Sequence, residues 1–97
     1  MTDRESKLLF LINNYGTRVQ QDIAIEELSE LQKAIIKYRR NPADDARESV
    51  IEEIADVQVM LEQLKIIYSC GTEVENIMDV KIDRQIQRVM DESKRIK

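Results

Sequence analysis

Two stretches decide how this chain reads: "IEELSEL", residues 25–31, and "IEEIADV", residues 51–57. Both set acidic residues among apolar ones at helical spacing. Each helical residue advances about 100° around the axis. On the first helix this gathers Leu28, Leu31, Ala24, Ile35 and Tyr38 into one apolar face, extended by Ile23 and Ala34. Glu27 falls inside that arc, Glu30 lies at its edge, and Glu26 points to the opposite side. The second helix repeats the pattern. Ile54, Val57, Leu61, Leu64 and Tyr68 form the face, with Met60 and Ile67 beside them. Glu53 sits inside the arc, Asp56 at its edge and Glu52 outside.

End signals divide the chain into four helices. Thr2-x-x-Glu5 is a capping-box pattern opening the first, which Asn13, Asn14 and Gly16 close. Thr17-x-x-Gln20 opens a second that continues to about Arg40, where Asn41-Pro42 stops it. Asp44 or Asp45 is the expected cap of a third, running until Gly71, and Thr72-x-x-Glu75 opens a fourth that reaches nearly to the C-terminus. Connections of a few residues predict antiparallel packing of consecutive helices. The fold expected is all-α, an antiparallel four-helix bundle forming one domain over residues 1–97.

Packed through their apolar faces, the two central helices would bring Glu27, Glu30, Glu53 and Asp56 to one place. Carboxylates sharing a half-buried site repel one another. An uncompensated buried charge costs several kcal/mol, roughly the stability of a small domain. A positive group is therefore expected there. The chain has no histidine and a single cysteine, Cys70, so metal ligands would have to be oxygens. Oxygen ligation selects a hard cation: Mg²⁺, Mn²⁺ or Ca²⁺.

The fourth helix carries Val74, Ile77, Met78, Ile82, Ile86 and Val89, with Lys81 inside their arc. Arg84 and Arg88 follow on the same flank in "KIDRQIQR", residues 81–88. Guanidinium forks and a lysine point charge suit phosphate oxygens. A carboxylate-held cation beside a basic stripe is an arrangement that can share the charge of a polyphosphate.

Composition limits the alternatives. Of 97 residues, 35% are charged and 4% aromatic, and glycine and proline together number three, which disfavours a sandwich or barrel. A net charge of −4 with intermixed signs gives no general attraction to nucleic acid or to an anionic membrane. The apolar run Leu8–Ile12 is too short for a signal core or a membrane span. One cysteine cannot form an intrachain disulfide, so the cytoplasm is the expected compartment. Without histidine a serine triad is excluded, and neither Gly16 nor Gly71 belongs to a phosphate loop.

"EELSE", then "EEIAD" some twenty residues on, then "KIDRQIQR", resembles the MazG-like all-α nucleoside triphosphate pyrophosphohydrolases. The resemblance covers about residues 15–90, and short members of this kind are often phage-like proteins. It implies a Mg²⁺-dependent hydrolase that cleaves an NTP or dNTP to the monophosphate and pyrophosphate, with Mn²⁺ as a possible substitute. It implies that Glu27, Glu30, Glu53 and Asp56 hold the metal and form the catalytic set, one of them orienting the water. Lys81, Arg84 and Arg88 would bind the phosphates. Glu26 and Glu52, four residues before Glu30 and Asp56, are candidates for supporting roles. A phosphoribosyl-ATP pyrophosphohydrolase-like enzyme ranks second among enzymes, and a non-catalytic helical oligomerisation module is the alternative outside catalysis. Apolar residues off the core arcs, Ile25, Ile36, Val59 and Ile66, mark a partner surface. Together with the resemblance they predict a homodimer or homotetramer.

Overall fold

Burial along the two central helices recurs at alternating steps of four and three residues, and this rhythm sets how the chain packs. The computed structural model describes residues 1–96, and among them four helices and no strand occur: α1 (Asp3–Tyr15), α2 (Thr17–Arg40), α3 (Asp44–Ile67) and α4 (Gly71–Ile96). On α2 this rhythm runs through Gln20, Ala24, Glu27, Leu31 and Ala34, with Gln21 and Ile23 half-buried beside it. On α3 it runs through Ala46, Val50, Glu53, Val57, Met60, Leu64 and Ile67, joined by the buried Gln63 and by Glu62, Lys65 and Ile66, half-buried toward the helix end. A 4-3 spacing is the signature of two helices meeting along a narrow coiled-coil-like seam. Three alanines in that seam leave little bulk to hold the helices apart.

The seam is narrower than the arcs read from the sequence. Leu28, Ile35, Tyr38, Ile54, Leu61 and Tyr68, expected in the buried faces, are all more than a third exposed. A two-helix contact covers only the central stripe of each helix, and a wider arc needs a third neighbour. The short α1 supplies part of that cover. It packs on α2 and α3 and buries Leu8 and Ile12.

The caps follow the sequence in part. Thr2 Oγ1 accepts from the Glu5 backbone N–H at 3.0 Å. At the α1–α2 junction Gly16, not Thr17, is the capping residue, and its φ of 93° lets two helices meet across one residue. No side chain caps α3; Asp45 Oδ1 instead accepts from the next backbone N–H, that of Ala46, at 2.9 Å. The α3 terminus is a Schellman turn: Cys70 N–H bonds Lys65 O, Ser69 N–H bonds Ile66 O, and Ser69 takes φ 53°. The left-handed residue is thus a serine two positions before the expected glycine.

Helix α4 departs from the expected bundle. It meets α3 near their junction, where Lys65 Nζ lies 3.0 Å from Glu62 and 3.8 Å from Glu75, and approaches neither α1 nor α2. Every residue from Glu75 to Arg95 is exposed. The radius of gyration is 17.5 Å, against about 13 Å for a compact domain of this length. Within one chain three helices pack and the fourth projects. Among the described residues no helix is long and apolar enough to cross a membrane.

Candidate divalent-cation site

Glu27 and Glu53 occupy seam positions, where a coiled-coil pair would ordinarily place apolar side chains. Antiparallel packing of α2 on α3 sets them at the same level, and Asp56, one turn along α3, closes the group. One carboxylate oxygen from each of Glu27, Glu53 and Asp56 lies within 4.8 Å of the other two. Glu27 and Glu53 are half-buried and Asp56 is exposed, so the group opens to solvent on one side.

Its electrostatics are unfavourable as an isolated set. Glu27 Oε2 and Glu53 Oε2 are buried and have no hydrogen-bond partner. Two ionised carboxylates are acceptors only and cannot satisfy one another. A proton on Glu27 changes this, because the acid can then donate to Glu53. Accordingly the Glu27 carboxyl titrates above its ordinary 4.5, through burial first, then the hydrogen bond to Glu53 and the charges of Asp56 and Glu53. Among the described residues no lysine or arginine forms an ion pair with any of the three.

The donor set fits a hard cation. Three carboxylates with two orphaned oxygens supply charge and lone pairs, contain no nitrogen or sulfur, and leave an open side for water or a ligand. Glu27, Glu53 and Asp56 could hold Mg²⁺, Mn²⁺ or Ca²⁺ with modest adjustment of side chains.

The other residues singled out from the sequence lie elsewhere. Glu30 is exposed and its Oε1 pairs with Lys33 Nζ at 3.3 Å, outside the group. Its edge position on α2 turns it to solvent while Glu27 turns into the seam. Lys81, Arg84 and Arg88 are exposed on α4, which does not touch α2, so one chain does not bring them to the acidic group. Glu26 and Glu52 are exposed, as their positions off the arc predict.

One polar pair in the seam escaped the sequence reading. Gln20 donates Nε2 to Gln63 Oε1 at 2.7 Å, and Gln63, 1% exposed, directs its own Nε2 to Met60 Sδ at 3.7 Å. Gln20 lies seven residues before Glu27, and Gln63 seven after Asp56, so the amides form a second polar layer about two turns from the first. The seven-residue spacing of Gln20 from Glu27 was the available signal. No family model, curated protein or solved structure matches the chain.

Proposed function

We propose that this chain is a Mg²⁺-dependent nucleoside triphosphate pyrophosphohydrolase of MazG-like type. The observation that carries the reading is the convergence of Glu27, Glu53 and Asp56, with two buried oxygens lacking partners and, among the described residues, no ion pair to any of the three. In the reaction a water oxygen bonds to one phosphorus of the α–β anhydride. The bridging oxygen leaves with the other phosphorus, giving the monophosphate and pyrophosphate.

Glu27, Glu53 and Asp56 would hold the cation, which when bound supplies Lewis-acid stabilisation of the phosphate charge. Glu30 joins them by a rotamer change that releases Lys33. That exchange is inexpensive, since an exposed i,i+3 ion pair contributes well under about 1 kcal/mol. A carboxylate of this set then orients the water and takes its proton. Lys81, Arg84 and Arg88 bind the phosphates, with the arginines suited to two-point contact.

The projecting α4 favours one other reading, a non-catalytic oligomerisation module whose acidic group is a structural cation site. Incubation with a panel of ribo- and deoxyribonucleoside triphosphates, with and without Mg²⁺, separates the two. The proposed enzyme releases pyrophosphate and monophosphate only with the metal. A folded preparation that turns over none of the panel contradicts it.

A further inference from the structure

The acidic group opens on the flank of the α2–α3 pair that carries Asp56, and two lysines of α2 share that flank. At 100° per residue, Asp56 lies about 60° round α3 from Glu53, and Glu30 about 60° round α2 from Glu27. In an antiparallel pair, equal rotations from the contact line fall on the same side. Further round α2 on that side come Lys37, at about 80°, and Lys33, at about 120°, whereas Arg39 falls about 120° the other way. Of the basic residues on α2 and α3, only these two lysines and Arg40, further round still, lie on the open side. Lys33 stands about 9 Å and Lys37 about 15 Å beyond Glu27 along the axis. Helical side chains lean toward the N-terminus of their own helix, so both ammonium groups lean back toward the acids.

Neither lysine is firmly neutralised. Lys33 is held only by Glu30, at 3.3 Å, in a pair whose side chains are 70% and 50% exposed. Lys37 has no ion pair among the described residues. Its neighbours three and four residues away are Lys33, Ala34, Arg40 and Asn41, none of them acidic, and like charges four residues apart destabilise a helix. The helix dipole favours cations in the last turn, which accounts for Lys37, Arg39 and Arg40 but not for Lys33. The acids on that flank of α3, Asp45, Glu48 and Glu52, form no ion pair with either lysine. A shallow groove of about 410 Å³ runs along Lys33, Ile36, Lys37, Arg40 and Asn41.

We propose that Lys33 and Lys37 bind the outer phosphates of a polyphosphate held on a cation at Glu27, Glu53 and Asp56, and that metal binding frees Lys33 for this by drawing Glu30 away from it. The exchange leaves no charge without a partner: the carboxylate turns to the cation and the ammonium to a phosphate oxygen. Because both lysines stand on α2, this contact is made within one chain, where Lys81, Arg84 and Arg88 on α4 do not approach α2. In a nucleoside triphosphate the outer phosphates are the β and γ groups, which depart as pyrophosphate. That identification rests on the proposed pyrophosphohydrolase reading; capture of a metal-held polyphosphate does not.

Calorimetry on the full chain tests this, with imidodiphosphate, two linked phosphates that resist hydrolysis, injected at fixed free Mg²⁺. Wild type should bind the probe saturably with Mg²⁺ and not in EDTA. Lys33→Ala and Lys37→Ala should each weaken binding about tenfold, and Arg39→Ala, the same charge loss on the opposite flank, should stay within about twofold of wild type. Mg²⁺ alone should bind Lys33→Ala at least as tightly as wild type, because nothing then competes for Glu30. These opposite signs are not what a merely structural role would give. No binding of the probe by wild type, unchanged affinity in both lysine variants, or equal weakening by Arg39→Ala overturns the proposal. Weaker Mg²⁺ binding by Lys33→Ala overturns it as well. Nucleotide hydrolysis with no effect of either lysine leaves the enzymatic reading and removes this one. Lysine-dependent binding in a protein that hydrolyses no nucleoside triphosphate does the reverse.

Discussion

Glu27 and Glu53 lie across the α2–α3 seam from one another, and each keeps its Oε2 buried without a hydrogen-bond partner. Seam positions of a helix pair are where apolar side chains stabilise most. Placing two acids there sacrifices stability, which a proton on Glu27 offsets in part and a bound cation would offset further.

The first consequence is a dependence on pH. Glu27 binds its proton more tightly in the fold than in the unfolded chain, because burial and its acidic neighbours hold it above 4.5. Its contribution to stability is fully present below 4.5 and is lost as pH rises through the folded value. In EDTA, wild type should therefore lose stability relative to Glu27→Gln as pH rises through that window. Urea unfolding of both proteins across the acid-to-neutral range checks the difference.

Mg²⁺ should act in the opposite sense. A cation that binds only the folded state stabilises by about 2.7 kcal/mol at a hundred times its Kd. The gain should grow as Glu27 ionises and should be largely absent from Glu27→Gln. Thermal unfolding with and without Mg²⁺ at two pH values reads it directly.

The buried amide pair makes a separate prediction. Gln63→Leu leaves Gln20 Nε2 without its acceptor, beside an Oε1 that already lacks a partner, and should cost about 1–3 kcal/mol. Replacing both glutamines by leucine removes the stranded group, and the double variant should recover much of that loss. Chemical denaturation of the three variants completes the cycle.

Two backbone positions should respond in opposite directions. Ser69 holds φ 53°, which glycine adopts freely, so Ser69→Gly should stabilise by about 0.5–1 kcal/mol. Gly16 holds φ 93°, and a Cβ there would meet nothing within 4 Å. Gly16→Ala should thus cost about 1–2 kcal/mol through torsion alone. Melting temperatures report both.

For the proposed activity, Glu53→Gln should lower Mg²⁺-dependent hydrolysis on the order of 100-fold or more, since it removes charge from the centre of the site. Glu30→Gln should leave metal-free stability within about 0.5 kcal/mol of wild type, because only an exposed ion pair is lost. Steady-state kinetics and unfolding of the same two variants distinguish these roles.

These residues also mark what sequence periodicity can and cannot reveal. A 100° step is enough to set Glu27 and Glu53 inside apolar arcs, and Asn41-Pro42 is enough to end α2. Glu30 shares the arc's edge with its lysine neighbour, and which way an edge side chain turns is decided by packing. Gln20 and Gln63 count as polar in any hydrophobicity pattern, and only the seven-residue spacing of Gln20 from Glu27 points to a buried amide layer. The stripe on α4 announces that it needs a cover but not which molecule provides it. For that reason a closed bundle is expected from the sequence while the single chain leaves α4 projecting. Ser69 takes the left-handed turn because two backbone bonds close around it, a demand that Gly71 nearby obscures.

The central claim is that Glu27, Glu53 and Asp56 form one divalent-cation site, and calorimetric titration of Mn²⁺ or Mg²⁺ into the full chain addresses it most directly. The account predicts saturable binding to wild type that weakens at least about tenfold in Glu53→Gln. Binding that is absent from wild type, or unchanged in Glu53→Gln, contradicts it.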